Sequence, residues 1–154
     1  MFEDVLDLYS DAIREHSRST RHAVRPAGFD GQARGDNPMC GDRVTVFVRR
    51  AGDGVAEAGF EARGCELTRA SADLMCEAVA GRSAADVRRM ADEVEAMART
   101  GQCAACEPGL RVLSAVHDYP SRVRCVTLPW AALVSALEDA APTSGAFKDR
   151  ETAL

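Results

Sequence analysis

The stretch "RVTVFVRRAGDGVAEAGFEAR", residues 43 to 63, limits what this chain can fold into more than any other. Val44, Val46 and Val48 alternate with Thr45, Phe47 and Arg49, "AGDG" follows, and "VAEAGFEAR" alternates again. Period-two alternation on both sides of a Gly-Asp-Gly turn predicts a β-hairpin with its turn at 51 to 54. Directly afterwards the period changes. In "ELTRASADLMCEAVA", Leu67, Ala70, Leu74, Met75 and Ala78 recur at helical spacing, which puts Gly64 and Cys65 at a strand-to-helix junction.

Helical patterns flank this unit. Phe2, Val5, Leu6, Tyr9 and Ile13 share one side of a 3.6-residue spiral, predicting an amphipathic helix over residues 2 to 13 that frays near "HSRSTRHAV". Between Arg25 and Pro38, "RPAGFDGQARGDNP" is rich in Gly, Pro, Asn and Asp and is expected to be an extended or turning loop. "SAAD" at 83 to 86 resembles a capping box, with Ser83 accepting from first-turn amides ahead of the apolar stripe Val87, Met90, Val94 and Met97. "GQCAACEPG" breaks that helix, and a further helical piece over about 109 to 118 carries Leu110, Leu113 and Val116. Pro129 suits a first turn better than a helix interior, so the last helix is expected to start near Thr127, with Cys125 just ahead of it.

The chain has 154 residues, 46% of them hydrophobic, which suits one domain rather than two. That domain is expected to cover 1–140, with 141–154 a mobile C-terminal tail. The formal net charge is −5 and the basic residues are scattered among acidic ones, so no basic stripe exists to neutralise nucleic acid. "MFEDVLDLYSD" is acidic where a signal would need Lys or Arg, and the longest apolar run, "PWAALVSAL", is too short to cross a bilayer. A cytoplasmic protein without a membrane partner is expected. In a reducing compartment, six cysteines point to metal binding or sulfur chemistry rather than to structural disulfides.

Three of those cysteines lie at element ends: Cys40 in "NPMCGD", Cys65 before a helix, and Cys125 before the last helix. With Asp42 they make three thiolates and a carboxylate, a set that suits tetrahedral Zn²⁺ and does not suit Mg²⁺. The helix starts after Cys65 and Cys125 would favour thiolate over thiol. Separations of roughly 25 and roughly 60 residues match no short zinc signature. On spacing alone, small cysteines filling loop junctions and an Asp42 that caps a turn account for the same residues.

The wording around each residue adds a resemblance. "NPMCGD", "GCELTRAS" and "YPSRVRCVTLPW" resemble, in that order, the three ligand motifs of the U-type iron–sulfur assembly proteins, the IscU/SufU family, which is similar to the NifU N-terminal domain. The likeness is closer to SufU than to IscU. Arg124 stands where IscU has a histidine, and the stretch at about 81 to 108 looks like the SufU insertion. The resemblance implies an α+β fold in which a small antiparallel β-sheet is packed on one side by several α-helices. It implies Cys40, Asp42, Cys65 and Cys125 as zinc ligands and Cys40 as the sulfur-accepting thiol. It also implies a role as an accessory sulfurtransferase: such a protein stimulates a SufS-type pyridoxal-phosphate cysteine desulfurase, accepts its persulfide sulfur, and relays it to downstream iron–sulfur assembly proteins. Arg122, in "PSRVRC", would steer a thiolate or persulfide by its charge, unless it is simply a surface ion pair. A scaffold assembling a [2Fe–2S] cluster on the same cysteines is the alternative, because such clusters also take thiolates.

Other features depart from the family or fall outside its motifs. Glu66 follows Cys65 where the family tends to have a small polar residue, adding negative charge beside the site or simply favouring a helix start. Cys76 is expected in the core. Cys103 and Cys106, in "CAAC", are expected to be an incidental loop pair, with a redox couple or half a metal site as the other readings. His16, His22 and His117 are expected to be surface or packing residues rather than ligands.

Overall fold

The computed structural model describes residues 10–39, 41–103 and 106–140. The elements run α1 (Asp11–Arg18), β1 (Gly31–Asn37), β2 (Asp42–Ala51), β3 (Gly54–Arg63), α2 (Glu66–Val79), α3 (Ala84–Thr100), a 3-10 helix (Pro108–Asp118) and α4 (Pro120–Asp139). The expected hairpin is β2 with β3. They pair antiparallel from Arg43↔Arg63 to Ala51↔Gly54, with a register shift between Arg49 and Arg50, and Gly52 takes the positive φ that the turn requires.

The segment expected to be a loop before the hairpin contains a third strand. β1 pairs antiparallel with β2 from Gly31↔Val48 to Asn37↔Asp42, giving the sheet order β1-β2-β3. Its sequence, "GQARGDN", has no β-branched or aromatic residue, so local propensity argues against a strand there. Packing accounts for the glycines. A Cβ on Gly31 would lie 2.4 Å from the Ala136 carbonyl oxygen, and one on Gly35 would lie 2.9 Å from Leu128, so α4 can approach β1 closely only because both positions lack a side chain.

Val44, Val46 and Val48 are fully buried on the face covered by α2 and α4, among Leu67, Met75, Leu133 and Leu137. Each buried branched side chain contributes about 1.5–3 kcal/mol of transfer free energy, which is why alternation here fixes the register. Phe47 points to the other face and is nonetheless buried. The segment before β1 crosses there: Phe29 meets the Phe47 ring edge-on at 5.0 Å, and the Arg25 guanidinium sits 5.2 Å over it. Gly59, the cross-strand partner of Phe47, leaves room for the Val24 carbonyl, and Phe60 N–H donates to the His22 carbonyl at 2.9 Å.

Ser83 caps α3 as expected, accepting from Asp86 N–H at 3.1 Å, and Val87, Met90, Val94 and Met97 are its buried stripe. Gly101 ends it in the left-handed region, at φ 81°. The helical piece that follows is a 3-10 helix. Leu110, Leu113 and Val116 are three residues apart and all buried, and a helix of three residues per turn stacks that spacing on one face. Of the first expected helix, residues 2–9 lie outside the described residues. The described part, α1, starts at the Ser10 cap and buries Ile13.

Two further expectations are corrected. The last helix begins at Pro120, not near Thr127, so Cys125 lies inside it and Pro129 sits in its interior. Pro120 takes the first-turn position instead, and the Ser71 hydroxyl donates to the Val126 carbonyl at 2.6 Å in the turn that Pro129 disturbs. Cys103 and Cys106 are joined as a disulfide rather than left as free thiols, their Cα atoms 5.6 Å apart, a span such a bond readily bridges. The expected tail, 141–154, lies outside the described residues.

Candidate metal centre

Asp42 opens β2 and is almost fully buried, at 2% exposure. The turn before it is organised by Asn37, whose carbonyl accepts from Gly41 N–H at 2.8 Å and whose side chain accepts from Met39 N–H at 3.2 Å. Gly41, at φ 74°, closes this turn. Cys40, between them, lies outside the described residues.

The Asp42 carboxylate is bonded from three directions. Oδ1 accepts from the Cys65 backbone N–H at 3.1 Å, and Oδ2 accepts from the Thr68 hydroxyl at 3.0 Å and from the Cys125 thiol at 3.2 Å. Cys65 is the residue before the first turn of α2, as the junction motif predicts, and its sulfur lies 3.5 Å from the Thr68 hydroxyl. Gly64 permits this approach, since a Cβ there would come within 2.5 Å of Asp42 Oδ1. One carboxylate oxygen, the Cys65 sulfur and the Cys125 sulfur therefore lie within 4.8 Å of one another, although they come from β2, the start of α2 and the second turn of α4.

The two thiols do not behave alike. A hydrogen bond from Cys125 is the main cause that draws the Cys65 thiol down to about 5, with Thr68 assisting, against burial and the nearby charge of Asp42. The Cys125 thiol is pushed up, first by giving that hydrogen bond to Cys65, then by burial and by the negative charges beside it. The pair thus holds one thiolate and one proton, which Cys125 shares between the Cys65 sulfur and Asp42 Oδ2. The helix-start argument applies to Cys65 alone, because Cys125 lies within α4.

A buried carboxylate beside a thiolate, with a second sulfur in reach, is a donor set that a thiophilic cation neutralises and that water serves poorly. The donors present fit such a metal. The centre opens on a cleft of about 620 Å³ whose walls include Met39, Pro120, Arg122 and Arg124. Arg122 therefore faces the same space as the cluster, and Met39, 89% exposed, stands at its rim.

No ligand motif points to Thr68, although its place three residues after Cys65, one helical turn on, is a signal that puts it beside the centre. Glu66 is exposed in the first turn of α2, where an acid is favoured whatever the neighbouring thiol does. Cys76 is buried and its thiol is pushed up by that burial, as expected of a core cysteine. His16 bonds Asp73, His22 offers its carbonyl to β3, and His117 lies 2.8 Å from the Ser114 carbonyl, so none reaches the centre.

The sequence pattern of the family described as "NifU-like N terminal domain" matches residues 3–126. The Thermotoga maritima protein named "Iron-sulfur cluster assembly scaffold protein IscU" is 30% identical over 132 residues, which cover 85% of this chain and 93% of that protein. The Bacillus subtilis protein named "Zinc-dependent sulfurtransferase SufU" is 33% identical over 100 residues, covering 64% and 68% of the two chains. Among solved structures, a putative iron–sulfur cluster assembly scaffold protein for the SUF system from Fervidobacterium islandicum superposes with a TM-score of 0.78 at 28% identity, over 86% of this chain and 98% of that one.

Proposed function

Because this chain belongs to the family of NifU-like N-terminal domains, we propose that it is a zinc-dependent acceptor of persulfide sulfur in iron–sulfur cluster assembly. The observation that supports this most is the Asp42 carboxylate bonded to both the Cys125 thiol and the Cys65 backbone, within reach of both sulfurs. Asp42, Cys65 and Cys125 would hold Zn²⁺, with Cys40 from the adjoining turn as the fourth ligand. When bound, zinc would supply the positive charge that keeps these sulfurs as thiolates, and Cys40 would be the one that reacts.

The partner in this proposal is a pyridoxal-phosphate cysteine desulfurase of the SufS type, met in the cytoplasm. The Cys40 thiolate attacks the outer sulfur of the partner's cysteine persulfide. A new S–S bond forms on Cys40, the old one breaks, and the partner's cysteine leaves as thiolate, its former terminal sulfur and proton now on Cys40. Arg122 on the cleft wall offers charge to the incoming persulfide, and the sulfur then passes to a downstream assembly protein. Replacing Cys40 with Ala tests this: stimulation of the desulfurase should disappear, and parental stimulation by the variant would end the proposal.

A second assignment, a scaffold for a [2Fe–2S] cluster, is favoured by the scaffold names of the Thermotoga and Fervidobacterium relatives. Stoichiometric zinc and a colourless purified protein support sulfur transfer. A brown protein with iron and sulfide supports the scaffold.

A further inference from the structure

The "CAAC" motif takes no part in the Asp42 centre, yet it has chemistry of its own. Cys103 and Cys106 follow α3, and the helix returns a third group to them: a Glu93 carboxylate oxygen and the two sulfurs all lie within 4.8 Å of one another. Cys106 is 5% exposed, packed among core residues, with its sulfur 3.9 Å from the Glu93 carbonyl oxygen. Glu93 is itself well covered, its side chain 20% exposed, and is held in place by Arg89 at 2.9 Å.

As a staple the disulfide does little, because closing so short a loop removes less freedom from the unfolded chain than closing a long one. Nor does it explain the carboxylate, since a disulfide has no proton to donate to it. Reduced, the same three groups make sense together. Two thiolates beside a carboxylate repel one another unless a cation lies between them, and a Cys-x-x-Cys step is the spacing that places two sulfurs on one ion. Opening the S–S bond lets the sulfurs part to the about 3.8 Å that two 2.3 Å zinc bonds at a tetrahedral angle require.

We propose that Glu93, Cys103 and Cys106 form a second thiophilic-cation site, filled by Zn²⁺ while the cysteines are reduced and emptied when they close into their disulfide. Water completes the coordination. The oxidant is a low-molecular-weight disulfide, RSSR. One cysteine thiolate attacks it and displaces RS⁻, leaving a mixed disulfide. The second thiolate attacks the cysteine sulfur of that bond, forms Cys103–Cys106 and displaces the second RS⁻. The cysteines lose two electrons, RSSR gains them, and the cation, left with one carboxylate, departs.

The test is a difference in zinc content between the full-length chain and its C103S/C106S variant, so it holds whether or not the Asp42 centre loads. Both are reduced, equilibrated with Zn²⁺, freed of excess and assayed with a chromophoric chelator. The reduced parent should carry one equivalent more than the variant, and treatment with oxidised glutathione should remove that excess. Co²⁺ in place of zinc should give thiolate-to-metal absorption in the reduced parent beyond that of the variant, a readout in which the oxidised parent serves as an unmutated control. E93Q should bind the additional ion at least tenfold more weakly. Equal zinc in reduced parent and variant would overturn the site, an excess that survives oxidation would overturn the switch, and unchanged affinity in E93Q would remove the carboxylate from it.

Discussion

Gly64→Ala disturbs the Asp42 centre without touching a ligand. The added Cβ would stand 2.5 Å from Asp42 Oδ1 and 3.0 Å from its Cγ. Gly64 has no positive φ, so alanine meets no backbone penalty, and the whole cost falls on the contact. Restoring ordinary separation moves the carboxylate by about 1 Å, which takes Oδ1 out of reach of the Cys65 N–H that it now meets at 3.1 Å. A hydrogen bond to a charged acceptor is worth about 1.5–3 kcal/mol. Alanine's smaller unfolded-state entropy offsets about 0.4–1 kcal/mol of that. The net loss of folding stability is about 1–2 kcal/mol, and the displaced carboxylate is the one proposed as a donor to the cation. The unfolded-state offset does not enter binding to the folded chain, so losing the bond that positions the carboxylate, about 1.5 kcal/mol at the low end, should weaken zinc about tenfold. Competition against a chromophoric chelator measures it, and Gly109→Ala, whose Cβ would meet nothing within 4 Å among the described residues, is the control and should bind as the parent does. Parental affinity in Gly64→Ala would refute the idea that the Cys65 N–H bond holds Asp42 in place for the cation.

Three other outcomes are expected. In metal-free protein the Cys65 thiol is depressed from 9.0 to about 5, so between these values the unfolded chain binds more protons and this group's stabilisation grows with pH, then is lost as pH falls through about 5. Thiolate absorbance should titrate near that pH and vanish in Cys65→Ser, and an unchanged titration in the variant would assign it elsewhere. His16→Ala removes the 2.6 Å bond to Asp73, a fully buried carboxylate whose other oxygen has no partner among the described residues, and should lower the unfolding free energy by about 2 kcal/mol; a denaturation midpoint equal to the parent's would contradict this. Arg122→Ala should leave zinc content unchanged and weaken desulfurase stimulation, with a loss that is largest at low ionic strength and shrinks as salt rises; a loss that stays constant across the salt series would show that the charge of Arg122 is irrelevant.

What could be read from the sequence tracks where local and tertiary preferences agree. The β2–β3 hairpin was legible because Val44, Val46 and Val48 bury one face and a Gly-rich turn joins the strands. α3 was legible through Ser83 and its four-residue stripe. β1 was not, because its glycines serve the approach of α4, a contact between residues about a hundred positions apart. Pro129 misled for a related reason: tertiary packing of Trp130, Leu133 and Leu137 holds α4 together through a residue that would end a lone helix. Spacing alone could not unite Asp42, Cys65 and Cys125; the motif wording singled them out, and it said nothing of Thr68 or of Glu93 beside "CAAC".

The bonds to Asp42 from the Cys65 amide and the Thr68 hydroxyl are made by the polypeptide itself and need no ion to form. Its orientation is therefore settled during folding, and loading the proposed cation would need little reorganisation of that carboxylate. Demetallation should accordingly leave a folded receptor ready for refilling, unlike small zinc modules that collapse to coil when stripped.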